Sequence, residues 1–175
     1  MELGLVIGRP LRNLPQHDTR TAYASISSYF LAIDMTARNA QSEAKKKGLP
    51  WSIAKGFDTF LPISHAIPKT SLPENLHSPS IQLYLQVNGE ERQRDTTDLM
   101  LFQIPRMLSD ISKVMTLEVD DVVITGTPKG VGAVEGGDVM TAGLIVNGEE
   151  IEEARMRVEV QDAEGGGEGY VYMET

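Results

Sequence analysis

Ile81-Gln82-Leu83-Tyr84-Leu85-Gln86-Val87 runs straight into Asn88-Gly89 and then Glu90-Glu91-Arg92-Gln93-Arg94, and this stretch decides the fold class. Apolar and polar residues alternate through 81–87 with the period of two that a half-buried strand requires. Asn-Gly accepts the positive φ that both central positions of a type I′ turn demand, so 81–94 reads as a β-hairpin with a polar return strand. Residues 139–146, Asn147-Gly148 and 151–160 repeat the plan as a second hairpin. Working outward, 121–127 (DVVITGT) predicts a short buried strand, 28–34 another, and 1–8 (MELGLVIG) a third that begins at full strength without a lead-in or turn. Two segments have helical character. Residues 36–47 are good helix formers closing at Gly48 with Pro50 beyond, and Lys45-Lys46-Lys47 suit the negative end of a helix dipole. Residues 98–115 have helical apolar spacing, with Pro105 near a helix start or at a kink. Residues 9–23 are rich in Pro, Asn and Asp and read as a loop, as does the apolar, Gly- and Pro-punctuated segment 48–68. Strands outnumber helices, which predicts an α+β, mostly β domain with mixed sheets.

The chain has 175 residues, 41% of them apolar, enough for one core and too few for two domains. We expect a single domain over 1–161 and a flexible tail over 162–175, where Gly165-Gly166-Gly167 stands. A net charge of −9 argues against nucleic acid and anionic membranes as partners, because either needs a basic footprint. The absence of cysteine excludes disulfides, thiolate metal sites and thiol catalysis. No apolar stretch approaches the length of a membrane span, and the first ten residues, with Glu2 among them, carry no targeting pattern.

One short stretch combines site chemistry with helical spacing. In Leu31-Ala-Ile-Asp34-Met-Thr-Ala-Arg38-Asn39-Ala-Gln41 an apolar run ends in a carboxylate, and steps of four and three then place Arg38 and Gln41 on one helical face with it. Read alone, Asp34 is a helix cap in preference to a site. Lys55, inside an apolar loop that also holds the single tryptophan, Trp51, either snorkels or faces a pocket. His17, His65 and His77 have no partner at metal-ligand spacing and read as structural or solvated. Thr125-Gly126-Thr127-Pro128-Lys129-Gly130-Val131-Gly132 lacks the Gly-Lys-Ser/Thr ending of a phosphate loop. Either it is a tight turn, or its Thr127 hydroxyl and nearby amides are free to receive an anion.

Taken together, these segments resemble the fumarylacetoacetate hydrolase superfamily. The motif from Asp34 to Gln41, the loop from Lys47-Gly48-Leu49-Pro50-Trp51 to Ala54-Lys55-Gly56-Phe57-Asp58, the hairpin Val87-Asn88-Gly89-Glu90, and 125–132 occur in that family's order and spacing, over residues 1 to about 161. The likeness is greatest to its acylpyruvase and oxaloacetate-processing branch. It implies a mixed β-sandwich-like roll of the family's C-terminal domain type, usually dimeric, and a homodimer here. It also implies a Mg2+ or Mn2+ site with Glu2 and Asp34 as ligands, Lys55 as a catalytic charge, and Arg38, Gln41 and Thr127 as substrate contacts. Asn39 stands where the family often has Asp.

The activity so implied is that of a divalent-metal-dependent enzyme on small 2-oxo acids: acylpyruvate hydrolysis, oxaloacetate decarboxylation or keto–enol tautomerisation through a metal-stabilised enolate. Relatives are mitochondrial or cytoplasmic. By the same resemblance, Glu2 is the second glutamate of a Glu-x-Glu motif whose first member would precede Met1, as would a His-x-x-Glu lid. The expectation is therefore an N-terminally shortened member with weakened metal binding that retains more decarboxylation than hydrolysis. A second reading is a catalytically impaired remnant or dimerisation partner of a complete paralogue.

Overall fold

The computed structural model describes residues 1–162, so the expected tail lies, but for Asp162, outside the described residues. The elements in chain order are β1 (Glu2–Ile7), α1 (Thr19–Ala24), β2 (Ile26–Ala32), α2 (Arg38–Lys47), α3 (Ser52–Lys55), β3 (Ile67–Pro68), β4 (Ile81–Val87), β5 (Glu90–Thr96), α4 (Ile104–Val114), β6 (Val122–Ile124), β7 (Val139–Val146), β8 (Glu149–Glu150) and β9 (Met156–Glu159). They form two sheets. The first has the order β3-β2-β1-β6; the second has the order β5-β4-β7-β8, with β9 also on β7. The two share one core, in which Leu3, Leu5, Ile7 and Leu31 of the first sheet join Ile81, Leu83, Leu85 and Leu144 of the second, with Leu108 of α4. The domain is α+β and mostly β, and every pairing between the named strands is antiparallel, a narrower pattern than mixed sheets.

The β4–β5 hairpin forms as its alternation predicts, with buried and half-buried residues alternating along β4. Asn88 and Gly89 have φ of 53° and 80°, the sign a type I′ turn requires at both positions. Pro105 stands in the first turn of α4, where a missing N–H costs nothing, so the helix starts there instead of kinking.

Four expectations give way. The loop 9–23 contains α1, because the Asp18 side chain accepts from the Thr21 N–H at 3.0 Å and nucleates a turn too short to show periodicity. The loop 48–68 contains α3. The strand expected over 121–127 contracts to β6, an edge strand whose Val122 is 53% exposed. The return strand of the second hairpin is cut in two by a 3₁₀ turn over Glu152–Ala154.

Candidate active site

The order of the first sheet assembles the site. Glu2 pairs with Ala32 across β1 and β2, so the chain leaving β2 reaches Asp34 beside the start of β1. On the other flank Gly4 pairs with Ile124 of β6, which brings Gly126 and Thr127 to the same edge. The Gly126 N–H donates to Glu2 Oε2 at 2.6 Å, joining residues 124 positions apart. The fourth contributor is α3. The Ala37 N–H donates to the Ala54 carbonyl at 2.9 Å, and the Lys55 ammonium forms an ion pair with Asp34 Oδ2. Neither snorkelling nor capping describes these two residues. Lys55 ends on a carboxylate, and α2 is capped by Ala37 without any side-chain bond.

Glu2 is buried, unlike most glutamates. Burial pushes its carboxyl above the ordinary range, the Gly126 N–H draws it down, and the charge of Asp34 pushes it up again. The two carboxylates thus sense one another. Each has one oxygen engaged, Glu2 Oε2 by Gly126 and Asp34 Oδ2 by Lys55. The other oxygen of each has no hydrogen-bond partner among the described residues. That donor set fits a hard divalent cation, which commonly takes one or two carboxylates and keeps water in its remaining positions. Among the described residues no three His, Asp or Glu side chains gather into a metal cluster.

Thr127 is held from two directions. Its hydroxyl donates to the Met1 carbonyl at 2.9 Å and accepts from Gln93 Nε2 at 2.9 Å. Gln93 also donates to the Pro128 carbonyl at 2.8 Å, while its Oε1 accepts from the Met1 nitrogen at 3.0 Å. Only 3% exposed, this glutamine is the one side chain of the second sheet that reaches the Thr127 loop with hydrogen bonds among the described residues. Gln93 is not among the candidate residues that the sequence motifs single out. A signal existed, because Gln93 pairs with the buried Leu85 and so occupies an inward position of a hairpin where an apolar residue is expected. The same loop lies flush on β5: Gly130 has φ 96°, and a Cβ there would stand 1.9 Å from the Arg92 carbonyl oxygen.

Arg38 and Gln41 sit apart from this group. Arg38 donates to Gln41 Oε1 at 3.1 Å on the first turn of α2, and among the described residues no hydrogen bond links either to Glu2, Asp34 or Lys55. Beside Thr127 a cleft of about 380 Å³ is lined by Leu3, Leu83, Met100 and Phe102, with Lys129 at its rim. His65 is exposed and His77 half-buried, neither near these groups by any hydrogen bond. No helix among the described residues is long and apolar enough to cross a membrane.

Comparison with known proteins shows the family of the chain. The family model described as fumarylacetoacetate (FAA) hydrolase C-terminal matches residues 1–159. The mitochondrial oxaloacetate tautomerase oaa1 of Schizosaccharomyces pombe is 48% identical over 145 residues, covering 83% of this chain and 64% of the relative. The chain therefore spans under two thirds of that relative's length. Among solved structures, yeast ynq8, a fumarylacetoacetate hydrolase family protein, superposes with a TM-score of 0.89 at 40% identity, over 99% of this chain and 70% of that one. A fumarylpyruvate hydrolase from Pseudomonas aeruginosa, solved with Mn2+ and pyruvate, gives 0.79 at 32% identity, over 91% and 64%.

Proposed function

The chain belongs to the fumarylacetoacetate hydrolase family, and from that membership we propose that it is a divalent-metal-dependent enzyme that interconverts or cleaves small 2-oxo acids, with oxaloacetate tautomerisation as its reaction. The observation that carries the reading is the Lys55–Asp34 pair beside Glu2, at an edge where β1 begins and β2 and β6 end. The tautomerase and the Mn2+–pyruvate complex among its relatives support it.

Glu2 and Asp34 would hold the ion, Mg2+ or Mn2+, which when bound supplies Lewis-acid polarisation of a 2-oxo acid. The remaining work falls to side chains. Lys55 offers fixed positive charge beside the keto oxygen, where an enolate carries its negative charge. The Thr127 backbone N–H, in a loop that Gln93 holds in place, receives a carboxylate. Arg38, turning away from Gln41, holds the far carboxylate, and the apolar cleft beside Thr127 takes the carbon chain. A local cationic site also answers how a chain of charge −9 attracts a dianion. We further propose a homodimer, located in mitochondria like the oaa1 relative; a monomer by light scattering, or a tagged protein found only in the cytosol, would overturn those two points.

The enol of oxaloacetate absorbs in the ultraviolet, so its conversion can be followed directly. Conversion faster than in buffer containing the same ion, and lost on chelation, is the expected result. A folded protein that leaves the rate at the buffer value overturns the reading. In that case the absence of any heat on titration with magnesium and oxalate would favour the non-catalytic remnant.

A further inference from the structure

The candidate active site lies past the end of β2; a second cleft opens toward its start. Its volume is about 440 Å³, and its lining includes Arg20, Tyr23, Tyr29, Lys69, Leu72 and Glu74. Three of these residues matter. Tyr29 is only 2% exposed, its ring packed in the core beneath the cleft. Among the described residues its hydroxyl makes no hydrogen bond, although a buried phenol normally finds a partner. Burial pushes its pKa up to about 12, so it is a neutral donor at physiological pH.

Lys69 follows β3, which pairs with β2 at Tyr29. Its ammonium donates to the Tyr23 carbonyl and to the Ile26 carbonyl, the latter at 3.2 Å, closing the C-terminal end of α1. An ammonium has three protons, and one remains. Arg20 lies on the exposed side of α1 and forms no salt bridge among the described residues, though Asp18 is near enough to feel its charge. Glu74 is the one acid of the lining. The lining thus carries two cations and one acid, with Asp18 close by.

Capping α1 accounts for Lys69 alone. It leaves unexplained why Tyr29, only 2% exposed and with no hydrogen bond to its hydroxyl among the described residues, lines the cavity that the lysine and arginine border. We propose that this cleft binds a small oxyanion, a carboxylate or a phosphate, received by the Tyr29 hydroxyl, the third Lys69 proton and the Arg20 guanidinium. Glu74 and Asp18 limit the charge that the cleft can balance, which favours a small mono- or dianion over a polyphosphate. The site is independent of the proposed enzymatic reaction and shares no residue with it.

The test is an NMR titration of the full chain with inorganic phosphate in one arm and acetate in the other, following the ring signals of Tyr29 and the backbone signals of Arg20 and Lys69. Saturable shifts with a Kd on the order of 1 mM are expected for at least one anion, and the arm that saturates first tells phosphate from carboxylate. Tyr29→Phe deletes only the hydroxyl, and Arg20→Gln changes an exposed residue, so both variants should fold. Each should weaken binding about tenfold, the value of one charge-assisted contact, while oxaloacetate conversion stays at the wild-type rate. A loss in either variant supports the site. Affinity unchanged in both, or no saturable shift with either anion, overturns it.

Discussion

The two sheets differ in how they are held together and in what they do. In the second, β4–β5 and β7–β8 are tight hairpins, each joined by two residues, and the two hairpins meet along β4 and β7. In the first, β1 lies between β2 and β6, and the contact from Glu2 to Gly126 joins residues 124 positions apart. Every proposed catalytic group stands on the first sheet or on the segments leaving it. The hairpin sheet supplies scaffold, and its hydrogen-bonded reach toward the candidate site is Gln93. Chemistry gathers where distant strands end together, since such an edge collects side chains from several segments while a hairpin presents only its own two strands.

If this division is right, substitutions in the two sheets should separate activity from stability. The largest effect is expected from Lys55→Met. It should lower metal-dependent oxaloacetate conversion by about 10²–10³-fold, the usual cost of removing one preorganised charge or donor. Melting should change less, because the pair with Asp34 keeps some solvent exposure and a single ion pair of this kind contributes about 1 kcal/mol. An equal fall in both would make Lys55 a structural residue. Gln93→Leu comes next and is the one change expected to cross the division. It strands the Pro128 carbonyl and takes one of two acceptors from the Met1 nitrogen, costing about 1–3 kcal/mol by urea denaturation. By freeing Thr127 it should also raise KM more than it lowers kcat, and an unchanged KM would sink its positioning role.

A smaller effect separates the sheets by alkali. The Tyr29 phenol titrates at about 12 in the fold and near its ordinary value of 10 when unfolded. The folded state therefore holds its proton longer, so this contribution is complete below pH 10 and is lost as pH rises toward 12. By pH 11 the loss is on the order of 1 kcal/mol. Tyr29→Phe should remove it, leaving the lesser share of Tyr84, whose phenol is also pushed up to about 12, by burial and by Glu150. An alkaline melting curve identical in Tyr29→Phe would contradict this. Smallest of all, Gly89→Ala places a Cβ at φ 80° in the β4–β5 turn and should cost about 1 kcal/mol of stability with kcat and KM unchanged.

The same contrast explains what the sequence revealed. Alternation in 81–87 and the Asn-Gly pairs are local signals, and the hairpins formed where those signals stood. Helix α2 closes at Gly48 as its composition predicts. Six-residue α1 and four-residue α3 are too short for a helical period to emerge, so only their caps and packing define them. Strand β6 is specified by its pairing with β1, which no window of neighbouring residues contains. The candidate site was legible through the company its motifs keep and not through any single one. Asp34 reads as a cap by itself and as a metal ligand in the company of the other motifs, and in the fold Lys55 of α3 meets it. Gln93 was hidden because a polar strand conceals which of its polar residues faces inward.

The span between β1 and β6 also sets a clock. A ribosome adds about 5–20 residues per second, so the β6 strand that Glu2 needs beside it emerges roughly 6–25 s after β1. During that interval β1 can pair only with β2, leaving one edge bare and the Glu2 carboxyl without its Gly126 amide. The nascent chain must therefore pass through a stage with one hairpin of the second sheet already closed and the candidate catalytic edge unbuilt. Pulse-labelling hydrogen exchange during refolding should register this as late protection of Gly126, after the amides of β4 and β5.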